Sequence, residues 1–281
     1  MKLGKFSIEI LDTGVFGLDG GAMFGVVPKP LWSKAYDKGD DVNRIPLRSK
    51  PLIVSWGNRK VLIDTGNGNK RNEKFAKIYN IDQEKSDIVK AVESHGFTPE
   101  EITDVILTHL HFDHAGGATL KINDEIVPAF PNAKYYVQKD HLAWALNPTD
   151  KDGASFIKED FDPLTAEGML QVIDGAGEIF DGIEAVPVYG HTKAMQMIKI
   201  KGGDSDLVYA ADLIPTAAHL RYPFIMGYDN HPLTTLEEKK RFLPHWHEED
   251  TIICLEHDAF RDAVKLDRDD KGFKIKEEIK I

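Results

Sequence analysis

The chain has 281 residues, 42% hydrophobic and 29% charged, a balance typical of folded globular proteins. Acidic residues outnumber basic ones by 46 to 35, and the formal charge of −11 argues against a protein that tracks nucleic-acid phosphates. The single cysteine, Cys254, excludes an internal disulfide framework and a cysteine-rich zinc module. No apolar run approaches the ~20 residues of a membrane span, and the start reads as a strand rather than a signal peptide. We therefore expect a soluble, cytoplasmic protein.

Apolar spacing predicts the elements of the first hundred residues. These are a strand at 5–12, a glycine-rich loop at 14–25, a strand pair at 51–56 and 60–63, a helix at 84–95 and a helix start at 98–101. Gly57-Asn58 supplies the turn of the strand pair.

Four later segments share one pattern, a short apolar strand that stops just before a residue of a type that binds metals. They are 105–107 before His109, 185–188 before His191, 207–210 before Asp212 and 251–255 before His257. A strand at 135–138 and helices near 139–146 and 235–243 lie between them. Strands interleaved with helices indicate α/β layers in one domain, residues 1–281, with the strand-end side chains gathered at one edge.

The densest signal is a cluster of four ligand-type residues within six positions: His109, His111, Asp113 and His114. Neutral imidazoles suit zinc, iron, cobalt or manganese, and a carboxylate can reach a second ion. Histidine is a rare residue, so this density favours a metal site over a polar loop with accidental histidines. The glycines after the cluster let the backbone run close beside it.

His191, Asp212 and His257 are weaker signals alone. A single histidine is usually a hydrogen-bonded surface or core residue, and a single aspartate is usually a helix cap. Their shared position after apolar strands favours metal binding for all three. Five histidines and two aspartates are enough for two ions that share one carboxylate.

The segment 109–114, HLHFDH, resembles the HxHxDH signature of the metallo-β-lactamase superfamily. Asp64-Thr65-Gly66, Gly190-His191-Thr192, Ala211-Asp212 and Glu256-His257-Asp258 follow the order of that superfamily, so the resemblance covers about residues 5–260. It implies an α/β fold, the αβ/βα four-layer sandwich of the metallo-β-lactamase type, with metals at one edge.

The resemblance also implies roles for the ligands. It assigns His109, His111 and His191 to one ion and Asp113, His114 and His257 to the other, with Asp212 bridging. Two divalent transition-metal ions are implied, with zinc expected and iron, manganese or cobalt as alternatives. A metal-bridging hydroxide would attack a carbonyl or phosphoryl centre, with Asp113 and Asp212 as the catalytic carboxylates.

Within the superfamily, residues 19–29 resemble the N-acyl-homoserine-lactone (quorum-quenching) lactonase group. That resemblance implies a small-molecule substrate, a lactone or other carboxylic ester. The acidic charge and the short apolar runs predict no nucleic-acid or membrane partner. Known lactonases of this group carry a tyrosine three residues after the bridging aspartate, where this chain has Pro215. Tyr222 and His219 are candidate replacements in substrate binding, whereas Tyr209 is expected to point into the sheet.

Other functions remain as alternatives. Residues 217–232 also resemble the phosphotriesterase branch of the fold, as in methyl parathion hydrolase. A di-iron redox protein is less favoured, because such proteins carry glutamate where His111 stands and an attached flavodoxin domain. A true β-lactamase is disfavoured by Asp212, where those zinc enzymes have cysteine, and a glyoxalase II by the few residues after His257.

The apolar side chains of the N-terminal loop are Met23, Phe24 and Trp32. They are predicted to line the substrate site as an apolar wall or lid suited to an acyl or aryl group. Alternatively they pack beneath the loop or in a dimer contact, which leaves a homodimer open.

Overall fold

The computed structural model describes residues 1–270 and 272–281, which form two compact units. Unit 1 comprises Met1–Phe16 and Arg48–Gly175, and unit 2 comprises Gly17–Leu47 and Ala176–Ile281. Residues 17–47, here called the N-terminal insert, therefore separate two parts of unit 1 in sequence but belong to unit 2. The single domain over residues 1–281 stays a prediction.

The strands of the described residues are numbered β1 to β18 in chain order. They are Lys2–Leu3, Phe6–Ile10, Val15–Asp19, Arg44–Arg48, Leu52–Trp56, Arg59–Ile63, Asp104–Ile106, Thr119–Ile122, Glu125–Pro128, Lys134–Gln138, Leu170–Ile173, Gly177–Phe180, Ile183–Val188, Met195–Ile200, Leu207–Tyr209, Ile252–Cys254, Ala263–Asp269 and Gly272–Ile279.

The α-helices of the described residues are numbered α1 to α8. They are Gly20–Phe24, Lys29–Ala35, Glu73–Ile78, Ile88–Ser94, Phe112–Ala115, Lys139–Leu146, Asp162–Ala166 and Pro232–Glu248. Short 3-10 helices cover Pro99–Glu101, Gly116–Ala118, Gly153–Ser155, Lys158–Asp160, Ala211–Leu213 and Ala217–Leu220. None of the described helices is both long and apolar enough to cross a membrane.

Unit 1 contains a seven-stranded mixed sheet in the order β1-β2-β5-β6-β7-β10-β11. The hairpin β5–β6 is antiparallel, whereas β6, β7, β10 and β11 run parallel. The buried strand residues pack with helix α4, whose Ile88 and Val92 belong to the same hydrophobic core as Val105 and Tyr135. This core supports the carboxyl end of β7, where the cluster 109–114 begins.

Unit 2 contains a second seven-stranded mixed sheet in the order β12-β13-β14-β15-β16-β17-β18. Strands β13 and β15 both run antiparallel to β14, and β16 runs parallel to β15. The strands β13, β15 and β16 therefore end at the same edge of this sheet. The long helix α8 packs against β17.

The structure agrees with most of the predicted elements and differs in the segment 14–25. The predicted glycine-rich loop there contains strand β3 and helix α1, which begins at Gly20 and is capped by Asp19, whose carboxylate accepts the Ala22 N–H. The charged C-terminal segment forms the antiparallel strand pair β17–β18. Cys254 is buried.

Candidate metal centre

Each strand expected to end before a residue of a metal-binding type does so, and the spacing is the same in all four. His109, His191, Asp212 and His257 each lie three residues after the last residue of β7, β13, β15 and β16 respectively. In unit 2 these strands end at one edge, which gathers His191, Asp212 and His257 there. In unit 1 the parallel strand β7 brings its cluster to the carboxyl end of the sheet, where α/β proteins gather functional groups.

The unit 1 ligands lie on the turn after β7 and on the short helix α5, and all four are buried. Nε2 of His109 lies 3.0 Å from Nδ1 of His111, and the His109 and His114 ring centroids are 3.9 Å apart. Ligand atoms of Asp113 and His114 lie within 4.8 Å of one another. The structure therefore brings together the four residues of the predicted cluster.

Asp64 anchors this ligand turn from the neighbouring strand end. Its Oδ1 accepts the Thr108 N–H, and its Oδ2 accepts the Thr108 hydroxyl, each at 2.7 Å. Oδ2 also lies 3.0 Å from Nδ1 of His114, which fixes the ring so that Nε2 faces Asp113 at 4.0 Å. Asp64 has a φ of 59°, an unusual backbone conformation for a buried non-glycine residue. A carboxylate on the second nitrogen of an imidazole is the arrangement that orients metal-bound histidines.

The glycine after the cluster is required by a close backbone approach. A Cβ atom on Gly116 would collide with the backbone of Asn67, which lies in the turn that follows Asp64. The backbone bridge between Gly66 and Ala115 joins the same two segments. The predicted tight run of backbone beside the cluster is confirmed.

His141 is a contact that the sequence analysis missed. It lies on helix α6, is fully buried, and its Nε2 accepts the Leu110 N–H at 2.8 Å. Because Nε2 accepts, Nδ1 of the neutral ring carries the proton. His141 thus holds the backbone between His109 and His111. The sequence did not indicate this role, because a single histidine in a helical segment has no pattern that distinguishes it.

In unit 2, Asp212 lies between two imidazoles. Its Oδ2 is 3.1 Å from Nε2 of His191, and its Oδ1 is 3.2 Å from Nε2 of His257. The preceding residue, Ala211, has a φ of 45°, a strained conformation for alanine. Each carboxylate oxygen of Asp212 therefore faces a different histidine, and the bridging role predicted for Asp212 stays a prediction.

Asp229 orients His191 and was not predicted. Its Oδ1 lies 2.9 Å from Nδ1 of His191, while its Oδ2 accepts the hydroxyl of Thr235 at the start of α8. Burial of His191 favours the neutral ring, yet Asp212 and Asp229 raise its pKa to about 9. The site therefore attracts positive charge, whether a proton or a metal ion. Glu238 of α8 also accepts the N–H groups of Tyr189 and Gly190, which precede His191.

The apolar residues predicted to line the substrate site are packed in unit 2. Phe24 stacks between Trp32, at 5.4 Å, and His219, at 4.8 Å between ring centroids. Met23, Phe24 and Trp32 are each at most 1% exposed. This burial agrees with the alternative interpretation, packing beneath the loop, and the predicted substrate contact stays a prediction.

The two candidate replacements for the lactonase tyrosine differ in their surroundings. Nε2 of the buried His219 donates to the Met23 carbonyl, so its Nδ1 accepts from the Thr216 hydroxyl. Burial also lowers the pKa of His219 to about 3. Tyr222 instead is half-buried and lines a cavity of about 590 Å³ within unit 2. Its predicted contact with substrate, like that of His219, stays a prediction.

Pro215 has a structural contact at the position where lactonases carry tyrosine. Its carbonyl accepts the His257 N–H at 3.0 Å, which joins the segment after Asp212 to the turn that carries His257. Tyr209 is fully buried in β15, which agrees with its expected direction into the sheet.

The donor sets of both units fit divalent transition-metal ions. Buried imidazoles and carboxylates are the ligands that zinc, iron, manganese and cobalt accept in proteins. His114 and His191 each have a carboxylate on Nδ1, from Asp64 and Asp229, which leaves the Nε2 atoms directed toward other ligand-type groups.

Comparison with known proteins decides the family. The family described as the metallo-beta-lactamase superfamily matches residues 52–257. The chain belongs to the metallo-beta-lactamase superfamily. This membership confirms the resemblance carried by the HxHxDH segment and the predicted α/β fold class.

The sequence relatives within the superfamily include N-acyl homoserine lactonases. The lactonase AttM of Agrobacterium fabrum is 25% identical over 188 residues, covering 64% of this chain and 66% of AttM. The lactonase AiiA of Bacillus thuringiensis subsp. kurstaki is 28% identical over 178 residues, covering 62% of this chain and 63% of AiiA. The alignments thus span just under two-thirds of these relatives.

Solved structures of the superfamily match over almost the whole chain. A protein described as a probable metal-dependent hydrolase from Staphylococcus aureus is 32% identical, with a TM-score of 0.91, covering 99% of this chain and 98% of that one. The dizinc quorum-quenching lactonase AidC is 21% identical, with a TM-score of 0.82, and the match covers 100% of this chain and 97% of AidC. The latter similarity shows the fold alone.

Proposed function

We propose that the protein is a dinuclear metal-dependent hydrolase that opens a lactone or hydrolyses another carboxylic ester. The seven predicted ligands would bind two divalent ions, with zinc the first candidate. They are His109, His111, Asp113, His114, His191, Asp212 and His257. We further propose a cytoplasmic location and a small-molecule substrate.

The observation that carries this proposal is the orientation of the imidazoles by buried carboxylates. Asp64 contacts His114, and Asp229 contacts His191, each on Nδ1. Two such pairs in separate parts of the chain are difficult to explain as core packing, because buried carboxylates carry a large desolvation cost. We attribute the burial of these carboxylates, despite their desolvation cost, to the orientation of the imidazoles for metal binding.

Bound divalent ions would supply water of lowered pKa as nucleophile and would polarise the substrate carbonyl. The protein's own carboxylates then have distinct roles. Asp212 holds His191 and His257 through different oxygens, so it sets the spacing of the unit 2 ligands. Asp113, on the first turn of α5, would orient the nucleophile and deliver a proton to the leaving alkoxide.

The preference for a lactone rests on the relatives AttM and AiiA, which are named N-acyl homoserine lactonases. Pro215 replaces the expected tyrosine, so carbonyl recognition must differ from that of the lactonases that carry it. A phosphotriester is the alternative substrate class, and a di-iron redox reaction is a less favoured one.

The test is elemental analysis together with a substrate panel. Protein prepared without chelator should contain about two transition-metal ions per chain, and its kcat/KM should be higher for lactones than for aryl esters or phosphotriesters. Asp212→Asn should lose both metal and activity. Asp267→Asn should lose neither, because Asp267 lies on β17 with its side chain about half exposed and paired with Lys274. A metal content near zero under metal-replete conditions would overturn the dinuclear proposal, and a preference for phosphotriesters would replace the substrate class.

A further inference from the structure

The hydroxyl of Tyr36, in the N-terminal insert, lies against the turn that carries His257. It accepts the Ala259 N–H at 2.9 Å and donates to the Pro46 carbonyl at 2.8 Å. The His257 carbonyl is also near, at 3.4 Å. A hydroxyl has one hydrogen, so the shorter contact to Pro46 takes it, and the turn is held mainly through Ala259.

Several further bonds fix the same turn. Asp258 accepts the N–H groups of Phe260 and Arg261 with Oδ1, and that of Ala217 with Oδ2. Leu47 of the N-terminal insert forms a backbone bridge with Asp258. The insert therefore contacts both residues that follow His257.

The phenol of Tyr36 is held in place by packing and stays protonated. Its ring lies 5.3 Å from that of Phe260 and 6.2 Å from that of Phe24. Burial, reinforced by the nearby Asp258, raises the pKa of Tyr36 far above its ordinary value. The hydroxyl is therefore a permanent donor to Pro46 and acceptor from Ala259, and it is unsuited to proton transfer.

We infer that Tyr36 is a positioning residue for His257, and that the N-terminal insert sets the geometry of this ligand through the Tyr36 hydroxyl. The inference rests on the proposed metal-binding function of His257. It gives the insert a role in addition to the predicted contact with substrate. A ligand held by a rigid turn loses less freedom on binding metal. Loss of a group that bonds a metal ligand directly typically weakens metal affinity or activity about 10–100-fold, and we expect the low end of this range for Tyr36, which acts through the backbone of the turn.

The test compares Tyr36→Phe with a matched control, Tyr135→Phe. Tyr135 is a fully buried tyrosine of unit 1, and its hydroxyl likewise joins a backbone N–H, that of Phe130, to a carbonyl, that of Ala118. Chelator competition would measure the affinity of each ion, and the visible spectrum of the cobalt-loaded protein would report ligand geometry. Hydrogen exchange would follow the Ala259 amide beside those of Phe260 and Arg261.

We expect Tyr36→Phe to lower the affinity for one of the two ions about tenfold and to alter the spectrum of the cobalt-loaded protein. Hydrogen exchange at the Ala259 amide should accelerate. Exchange at Phe260 and Arg261 should change less, because Asp258 still holds them. Tyr135→Phe should lose stability without these changes. If wild-type protein binds two ions and Tyr36→Phe binds them equally well with an unchanged spectrum, the inference is wrong while the proposed function stands. Wild-type protein that binds no metal overturns both.

Discussion

Asp229 and His191 form a buried pair in which Oδ1 of the aspartate lies 2.9 Å from Nδ1 of the imidazole. The pair joins residues 38 positions apart, and Thr235 holds the other carboxylate oxygen. The candidate metal ligand and the carboxylate that orients it thus come from different segments, which are brought together only by folding.

Replacing Asp229 should weaken metal binding in two steps. Asp229→Asn keeps an acceptor for the imidazole N–H but loses the charge, so we expect about tenfold weaker binding. Asp229→Ala removes the acceptor as well, so about 100-fold is expected. Competition with a chelator measures both values, and equal affinities for the two variants and wild type would contradict the orienting role.

Asp212 and Asp113 should have separable effects. Asp212→Ala removes the group between His191 and His257, so we expect loss of metal and of activity together. Asp113→Ala should reduce turnover and the occupancy of one ion, with the other ion partly retained. Metal analysis and steady-state kinetics on the same samples test this, and mild, equal effects of both substitutions would show that the roles are wrongly assigned.

Phe24→Ala should destabilise the protein by about 3–5 kcal/mol, because the ring is fully buried between Trp32 and His219. If the ring only packs beneath the loop, kcat/KM across an acyl-chain series should change by a uniform factor. A selective loss for long-chain lactones would instead support the predicted lid. A thermal melt beside the kinetic series separates the two outcomes.

Asp160 lies in a buried ionic cluster with Lys70 and Arg71 of unit 1. Lys70 also donates to the Gly116 carbonyl and to that of Thr119, which follow the ligand cluster. Asp160→Asn leaves two buried cations without their shared carboxylate, so we expect a loss of about 3–5 kcal/mol in the free energy of unfolding.

Urea denaturation measures the effect of Asp160→Asn. Asp124→Asn is the control, because its ion pair with Lys121 is exposed to solvent and should leave the midpoint unchanged. Similar midpoints for the two variants would show that the buried cluster contributes little.

Lys239 should make stability depend on pH in the alkaline range. It is buried and donates to the carbonyls of Arg221 and Phe224, and burial lowers its pKa from 10.5 to about 7. Between these values the unfolded chain binds more protons than the folded one, so the free energy of unfolding should rise with pH, by at most about 1.4 kcal/mol per unit. Below pH 7 this contribution should be flat.

Denaturation from pH 6 to pH 10 of wild type and Lys239→Met tests this dependence, because the variant lacks the titrating group. Parallel curves for the two proteins would contradict the assignment. The difference between the curves isolates Lys239 from the other titrating groups.

The parts of the site that the sequence predicted are those with local signals. HLHFDH concentrates four residues of metal-binding type in six positions, and apolar strands precede His191, Asp212 and His257. The structure shows why the second signal works, since β13, β15 and β16 end at one edge of their sheet. An apolar pattern predicts where a strand ends, and hence which residues follow it, whereas the direction of the strand comes from the structure.

The groups that orient the ligands had no such signal. Asp229 and His141 are single polar residues outside the strand pattern, and their partners lie 38 and 31 positions away in the sequence. Strand β3 was also missed, because Gly17 and the glycines that flank the strand are typical of a loop, whereas pairing with β4 supplies its hydrogen bonds. Only tertiary contacts determine such features.

The N-terminal insert also imposes an order on protein synthesis. Residues 17–47 leave the ribosome before the 128 residues at 48–175, and the remaining strands of unit 2 follow only afterwards. At a synthesis rate of about 5–20 residues per second, the rest of unit 2 is made on the order of ten seconds after the insert. Phe24 and Trp32 stay exposed until then. During that interval the nascent chain offers aromatic surface to chaperones and to other chains. Folding yield in the cell should therefore depend on how that segment is shielded before translation is complete.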